Sequence, residues 1–244
     1  MPTAVRRVAA GLADLVWPRV CAVCGIGLGP GSELACFDCA AAMAAIVGEP
    51  YCVTCGDTRH SHLLIDRQCA ACRDHKPAYQ AYIRVGRYAG PLRSLVLRFK
   101  REFVLDRYLG DLLGDAVLGA GDRAVVDCWT PVPSPLRRRV LRGFQPTRLL
   151  AEAVGRHVGR PVAPLLAMNR YVRRLHGGMT ATERAEAVRG AFRAADPRAV
   201  AGRTIGVIDD VSTTGATLAE ARRALREAGA KRVVVAILAR TRRD

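Results

Sequence analysis

Aromatic residues and lysine are scarce in this chain, and long apolar runs are absent. Aromatics make up 5% of the 244 residues, which argues against an extended platform for stacking nucleobases. No stretch approaches the roughly 18 uncharged apolar residues of a transmembrane helix. Basic residues precede an apolar stretch at the N-terminus, as in signal peptides, but Asp14 interrupts that stretch. These features predict a cytoplasmic protein without a membrane span.

Positive charge is concentrated in the second part of the chain. The formal net charge is +16, from 38 Lys and Arg against 22 Asp and Glu. Residues 1–80 hold seven of each sign, so residues 81–244 carry the whole excess, 31 basic against 15 acidic. A basic surface suits a polyanionic partner, but coding bias also produces a composition rich in Arg, Ala and Gly. Composition alone does not choose between these explanations.

Eight of the nine cysteines form four Cys-x-x-Cys pairs within residues 21–72. One such turn presents two sulfurs to a tetrahedral ion, so two turns complete a four-thiolate zinc site. The pattern predicts a double zinc ribbon over residues 19–78 with about two structural Zn²⁺, whereas disulfides would need an oxidising compartment. Pairing of the first turn with the second and the third with the fourth is favoured over an interleaved arrangement. The predicted ligands are Cys21, Cys24, Cys36, Cys39, Cys52, Cys55, Cys69 and Cys72.

The segments on either side of the ribbon differ in pattern. Residues 1–18 place apolar side chains on one face and predict a short amphipathic helix that ends at Pro18. Residues 79–244 alternate apolar strands with helices, which predicts an α/β fold with a parallel sheet and helices on both faces. The predicted strands cover residues 124–129, 204–208 and 232–238, and the predicted helices cover residues 146–158 and 218–228. The ninth cysteine, Cys128, is predicted to be a small core residue.

The segment after the strand at 204–208 has the composition of a phosphate-binding loop. Asp209 and Asp210 precede a run of hydroxyl residues and Gly215, and a helix follows. Backbone N–H groups at the start of a helix can donate to an anion. A turn or cap needs only one carboxylate, so two adjacent acids favour a ligand role, toward ribose hydroxyls or Mg²⁺ on a diphosphate. The order of residues is not that of a nucleoside triphosphatase P-loop.

These residues resemble a known family. Residues 208–217 are similar to the phosphoribosyl pyrophosphate (PRPP) motif of type I phosphoribosyltransferases. Their position after the cysteine pairs resembles the ComF/GntX family of competence-related proteins. The resemblance covers nearly the whole chain, at residues 12–18, 88–93, 99–100, 131–134, 142–144, 183–192 and 238–241.

The resemblance implies a type I phosphoribosyltransferase-like domain that binds PRPP with Mg²⁺. Asp209 and Asp210 would contact the ribose or its Mg²⁺. Arg142, with Arg137, Arg138 or Arg139, would add positive charge beside the diphosphate, and residues 170–190 would close over the substrate. The implied phosphate-binding residues are Val211, Ser212, Thr213, Thr214, Gly215, Ala216 and Thr217, and, in a pyrophosphate loop after the first predicted strand, Pro131, Val132, Pro133 and Ser134.

Three functions are compatible with this resemblance. The first is a PRPP-binding, ComF-like protein that assists uptake or handling of single-stranded DNA in natural competence, alone or with DNA-uptake proteins. The second is an active phosphoribosyltransferase that makes a nucleotide from PRPP and a nitrogenous base. The third is a regulator that senses PRPP without chemistry. The chain has Gln145 and Pro146 where the family usually has Asn-Gln, a departure that bears on turnover more than on PRPP binding.

Overall fold

A computed structural model of the chain describes residues 19–29, 34–73, 78–169 and 180–241. The amphipathic helix predicted at residues 1–18 lies outside this part. Among the residues described, no helix combines the length and apolarity needed to cross a bilayer. In chain order the elements are α1 (Phe37–Val47), β1 (Leu64–Ile65), β2 (Gln68–Cys69), α2 (Ala70–Arg73), β3 (Ala81–Arg87), α3 (Gly90–Phe99), α4 (Asp106–Leu118), β4 (Cys128–Pro131), α5 (Leu136–Arg142), α6 (Pro146–His157), β5 (Leu166–Met168), α7 (Ala181–Val188), β6 (Phe192–Ala194), β7 (Thr204–Ser212), α8 (Ala216–Glu227) and β8 (Arg232–Arg240).

The central sheet consists of four parallel strands in the order β3-β8-β7-β4. Strands β7 and β8 lie in the middle, and every residue of β8 after Arg232 is buried. Such continuous burial is typical of a parallel strand covered on both faces. Apolar residues of α3, α4 and α6 cover one face, and α8 with the antiparallel pair β5 and β6 covers the other. The predicted α/β fold is confirmed.

The structure shifts the bounds of the predicted strands, most of all at the start of β4 and the end of β7. The strand expected at residues 124–129 begins only at Cys128, because Gly121, with a φ of 59°, starts a turn of 3-10 helix that runs to Ala124. Strand β7 continues four residues past its predicted end, since its pairing with β8 extends to Ser212 opposite Arg240. Asp209 and Asp210 therefore lie within the last part of β7 and not after it. Cys128 is buried, as expected of a core residue.

The cysteine-rich segment packs against the β3 edge of the sheet. Met43 and Ile46 of α1 belong to the same core as α3 and α4. A Cβ on Gly86 would lie 2.5 Å from Cγ2 of Ile46, so α1 approaches β3 closely enough to require glycine there. The backbone N–H of Tyr82 donates to the carbonyl oxygen of Val53 at 3.1 Å. The two parts share one core, and the boundary expected at residue 78 stays a prediction.

Candidate functional site

A cleft of about 210 Å³ opens at the carboxyl ends of β4 and β7. Open parallel sheets bind ligands at this edge. Both predicted acids, the loop after β4 and Arg142 meet here, although they are distant in sequence. The lining residues are Lys100, Val132, Pro133, Ser134, Pro135, Arg138, Arg142, Thr147, Met168, Val188, Phe192, Asp209, Asp210, Val211 and Thr217.

The two adjacent acids have different surroundings. Asp210 forms an ion pair with Lys100, with 3.0 Å between Oδ1 and Nζ. Asp209 accepts a hydrogen bond from the backbone N–H of Asp210 at 2.9 Å. Burial and the neighbouring carboxylate of Asp210 raise the pKa of Asp209 to about 7, although Lys100 lowers it in part. Such like-charged carboxylates are stabilised by a bound cation or by hydroxyl donors.

The segment from Ser212 to Thr217 joins β7 to α8 as predicted for a phosphate loop. Gly215 precedes the helix with a φ of 86°, a left-handed conformation that favours glycine. The N-cap residue of α8, Gly215, has no side chain that could cap the helix, so the N–H groups of the first turn after Ala216 are available to an anion. Thr214 Oγ1 accepts a hydrogen bond from the N–H of Ala216 at 3.4 Å. Thr217 reaches the cleft, whereas Ser212 is buried beneath the loop.

The predicted pyrophosphate loop begins at buried Pro131, the last residue of β4. The hydroxyl of Thr147 donates to the carbonyl oxygen of Val132 at 2.8 Å, and Gln145 Nε2 donates to the same oxygen at 3.2 Å. These bonds fix the loop to the start of α6. Arg138 and Arg142, one turn apart on α5, both line the cleft. Arg137 and Arg139 do not belong to this lining.

The segment expected to close over the substrate is partly helical. Residues 170–179 lie outside the part of the chain that the structure describes, and α7 follows them. Thr180 and Glu183 form a capping box at the start of α7, which explains a helix where a loop was expected. Arg184 of this helix donates to Thr213 Oγ1 at 2.6 Å. Helix α7 is therefore in direct contact with the predicted phosphate loop.

The cysteines gather into two groups of four. Cys21, Cys24, Cys36 and Cys39 form one group, and Cys52, Cys55, Cys69 and Cys72 form the other, with all four sulfurs of each group within 4.8 Å of one another. This is the predicted sequential grouping, in which the first pair joins the second and the third joins the fourth. Four sulfurs at such distances match the ligand set of a closed tetrahedral zinc site, which leaves no open position for catalysis.

The environment of the sulfurs favours thiolates at one position of each group. A hydrogen bond from the Cys55 thiol lowers the pKa of Cys52 to about 4, and the backbone N–H of Cys69 also donates to Cys52, at 3.3 Å. Burial raises the pKa of Cys21, but hydrogen bonds from backbone N–H groups outweigh it and lower that pKa to about 6. Burial and neighbouring sulfurs instead raise the pKa of Cys39 and Cys72, so it is the clustering of four sulfurs in each group that fits Zn²⁺, which binds thiolates.

Comparison with known proteins finds a matching family for each of the two parts of the chain. Residues 12–73 match the double zinc ribbon domain, and residues 148–244 match the phosphoribosyl transferase domain. Competence protein F of Haemophilus influenzae is 30% identical over 213 residues, which are 83% of this chain and 90% of that protein. DNA utilization protein YhgH of Escherichia coli K12 is 31% identical over 233 residues, 93% of this chain and 99% of that protein.

The chain belongs to the ComF family. Among solved structures, an allosteric regulatory enzyme of purine biosynthesis is 26% identical, with a TM-score of 0.38 over 55% of this chain. The chain spans about a quarter of that enzyme, 26% of its length. The family assignment therefore depends on the curated relatives and on the two matched domains.

Several residues of this ComF-family cleft were not singled out as site residues from the sequence. Lys100 appears in the family resemblance, but nothing near it in the chain points to Asp210, which is 110 positions away. The side chains of Gln145 and Thr147 hold the predicted pyrophosphate loop by hydrogen bonds to a backbone oxygen, which no spacing rule reveals. The capping box at Thr180 is the one local signal that could have placed Arg184 on a helix beside the loop.

Proposed function

We propose that this ComF-family protein binds PRPP in the cleft between β4, β7 and α5. The observation that carries the proposal is the meeting of two carboxylates, a helix N-terminus with glycine at its N-cap, and two arginines around one opening. PRPP bears a 5′-phosphate, a ribose with two hydroxyls and a diphosphate. The cleft offers chemistry suited to each of these groups.

The geometry suggests how each part of PRPP is held. The N-terminus of α8 and the hydroxyls of the loop before it suit the 5′-phosphate. The carboxylates of Asp209 and Asp210 can accept hydrogen bonds from the ribose hydroxyls, and the guanidinium groups of Arg138 and Arg142 can donate to the diphosphate. The carboxylate oxygens of the acids also fit Mg²⁺, which prefers oxygen ligands and, when bound, would neutralise charge on the diphosphate. Lys100 holds positive charge at Asp210 on this side of the cleft.

Calorimetric titration with PRPP, in the presence and absence of Mg²⁺, tests the proposal. We expect the double variant Asp209→Asn, Asp210→Asn to lose Mg²⁺-dependent PRPP binding while its circular dichroism stays that of the parent protein. Asp122→Asn, which removes an exposed acid outside the cleft, serves as the matched control and should bind as the parent does. An unchanged affinity in the double variant would rule out this role for the acids.

A role in handling single-stranded DNA extends this proposal. The names of the relatives, Competence protein F and DNA utilization protein, and the excess of positive charge in residues 81–244 both support it. Binding through phosphates releases counterions, so the affinity for a single-stranded oligonucleotide should fall steeply as salt rises. Fluorescence anisotropy at several salt concentrations measures this. A failure to bind at low salt would remove the DNA role and leave the PRPP proposal standing.

Phosphoribosyl transfer is the second candidate, favoured by the two arginines beside the predicted diphosphate position. Transfer breaks the bond between ribose C1 and the diphosphate, and positive charge at the leaving group stabilises that step. Release of pyrophosphate from PRPP with a panel of nitrogenous bases measures it directly. Turnover that depends on one base would favour this candidate over PRPP binding without chemistry.

A further inference from the structure

Arg240, the last residue of β8, lies beneath the predicted phosphate loop. Its side chain is among the largest that are fully buried, and the residue is only 2% exposed. Nη1 donates to Ser212 Oγ at 2.9 Å and to the Tyr82 hydroxyl at 3.1 Å. A Cβ on Gly215 would lie 3.9 Å from the same nitrogen, so the turn before α8 passes directly over the guanidinium.

The charge of Arg240 has no acidic partner within the described part of the chain. The ion pairs found there involve other cations, and Arg240 Nε has no hydrogen-bond partner. Its other contact is with the ring of Tyr82, whose centroid lies 5.5 Å from the guanidinium carbon. A buried cation that lacks a counter-ion destabilises a fold, because burial removes its hydration. A functional explanation is therefore needed for keeping it here.

An anion bound in the loop would supply the missing counter-charge. The loop, Ser212 and Gly215 separate Arg240 from the position of the anion, so the arginine acts at short range through a water-poor region where charges interact strongly. Ser212 also pairs with Arg240 across the sheet, so the loop and the arginine are fixed to each other by backbone register. The positive charge of Arg240 is therefore already in position in the ligand-free protein.

We propose that Arg240 is a positioning residue of the phosphate site, holding the loop through Ser212 and serving as the buried counter-charge of a phosphate monoester bound above it. The inference rests on the proposed function, because it assigns the 5′-phosphate of the ligand to this loop. It extends that function to a residue 28 positions beyond Ser212 that is not itself part of the cleft lining. The diphosphate end of PRPP would not depend on Arg240.

The test compares ribose 5-phosphate with inorganic pyrophosphate as probes, by calorimetry and by thermal unfolding of the full chain. In Arg240→Met we expect the ligand-free Tm to be equal to or above that of the parent. The rise in Tm with ribose 5-phosphate should disappear and its affinity should fall at least about tenfold, because a ligand stabilises a fold only by binding it. Affinity for pyrophosphate should change less than about twofold. Arg232→Met, at the exposed start of the same strand, is the control and should behave as the parent protein.

A second pair of variants keeps the test valid if Arg240→Met does not fold. Arg240→Lys retains the charge and should keep part of the Tm rise with ribose 5-phosphate, whereas Arg240→Gln keeps polarity without charge and should lose it. Equal responses of the two variants would overturn the inference. So would an Arg240→Met variant that loses stability but keeps its response to ribose 5-phosphate, since that pattern belongs to a structural residue only. If the parent protein binds neither PRPP nor ribose 5-phosphate, the proposed function fails together with the inference.

Discussion

Asp209 illustrates the conflict between binding and stability at a single residue. Burial and the carboxylate of Asp210 raise its pKa from 3.8 to about 7. The charged form of Asp209 therefore destabilises the folded protein. The contribution of the protonated form to the free energy of unfolding is fully present below pH 4 and is lost as the pH rises to about 7. A residue kept at this disadvantage is typical of a functional site.

Replacing Asp209 by Asn should therefore stabilise the ligand-free protein. The amide is nearly isosteric and can still accept the hydrogen bond from the N–H of Asp210. We expect Asp209→Asn to raise the Tm at pH 8 by a few degrees, on the scale of about 2–4 °C per kcal/mol for a chain of this size, and by less at pH 5. Thermal unfolding without Mg²⁺ at both pH values measures this, with Asp122→Asn as the control. A lower Tm at pH 8 would contradict the argument.

Single residues were predictable from the sequence where the signal is local. The Cys-x-x-Cys pairs, the acids and the hydroxyl loop each occupy a few consecutive positions, and the structure brings the acids into the same cleft as the loop after β4. Arg240 and Tyr82 could not be found in this way. Their bond joins residues 158 positions apart, and both residues lie outside the strands predicted from the sequence. Local patterns do not contain such tertiary contacts.

Helices α4 and α6 form a close pair, and residues at the start of α6 hold the predicted pyrophosphate loop. A Cβ on Gly110 would lie 2.2 Å from the Cβ of Ala153, so the two helix backbones approach closely at this point. Further along, a Cβ on Gly114 would lie 2.5 Å from the ring of His157. Small residues on α4 therefore make room for α6 at one place and for an imidazole at another.

His157 connects the end of α6 to α4 in a way that depends on pH. Its Nε2 and Nδ1 lie 2.8 Å and 3.0 Å from carboxylate oxygens of Asp115 and Asp111, respectively. The hydrogen bond to Asp115, together with that to Asp111, raises the pKa of His157 above its ordinary value of 6.5. Its stabilising effect is therefore fully present below pH 6.5 and is lost as the pH rises through the raised pKa.

We expect His157→Gln to lower the Tm more at pH 6 than at pH 9, because only the histidine gains a charge between the two acids as the pH falls. Thermal unfolding across this range measures the difference between variant and parent. Arg156→Gln, which removes an exposed and permanently charged neighbour, should give a difference that does not change with pH. A deficit of His157→Gln that stays constant from pH 6 to pH 9 would show that the ring acts through packing alone.

Elements were predicted best where they are long and buried. The core strands β7 and β8 and helices α6 and α8 follow the apolar pattern of their residues within a few positions. The three-residue strands β5 and β6 pair only with each other and carry too short a pattern to identify. Strand β3 contains Arg84, which is 2% exposed and whose guanidinium carbon lies 4.8 Å from the centroid of the Tyr51 ring. Because a charged residue interrupts its apolar pattern, this buried strand was not predicted from the sequence. Burial of that arginine depends on the ribbon that covers it.

At the scale of the whole molecule, the two cysteine-rich ribbons contact the sheet domain through different residues. The first ribbon lies near α3, where Arg98 Nη1 donates to the carbonyl oxygen of Ala22 at 3.5 Å, and it reaches β3 through Ile46 of α1, which packs against Gly86. The second lies on β3, where Val53 accepts a hydrogen bond from Tyr82 and a Cβ on Gly56 would lie 2.2 Å from the Tyr82 ring. Tyr82 in turn accepts a hydrogen bond from Arg240 beneath the predicted phosphate loop. Among the described residues, the second ribbon therefore contacts Tyr82, which is itself hydrogen-bonded to the buried Arg240.

This arrangement predicts that the two zinc sites affect phosphate binding unequally. Metal analysis of the reduced parent protein should give about two zinc ions per chain, and both Cys24→Ser and Cys69→Ser should give about one. Loss of the second site releases the turn that holds Tyr82, because a closed zinc site supplies much of the folding free energy of so small a segment. Calorimetry should then give a several-fold weaker affinity for ribose 5-phosphate in Cys69→Ser and a nearly unchanged one in Cys24→Ser. Equal affinities in the two variants would mean that the ribbons support the sheet alike, and a zinc content of two in either variant would exclude that cysteine as a ligand.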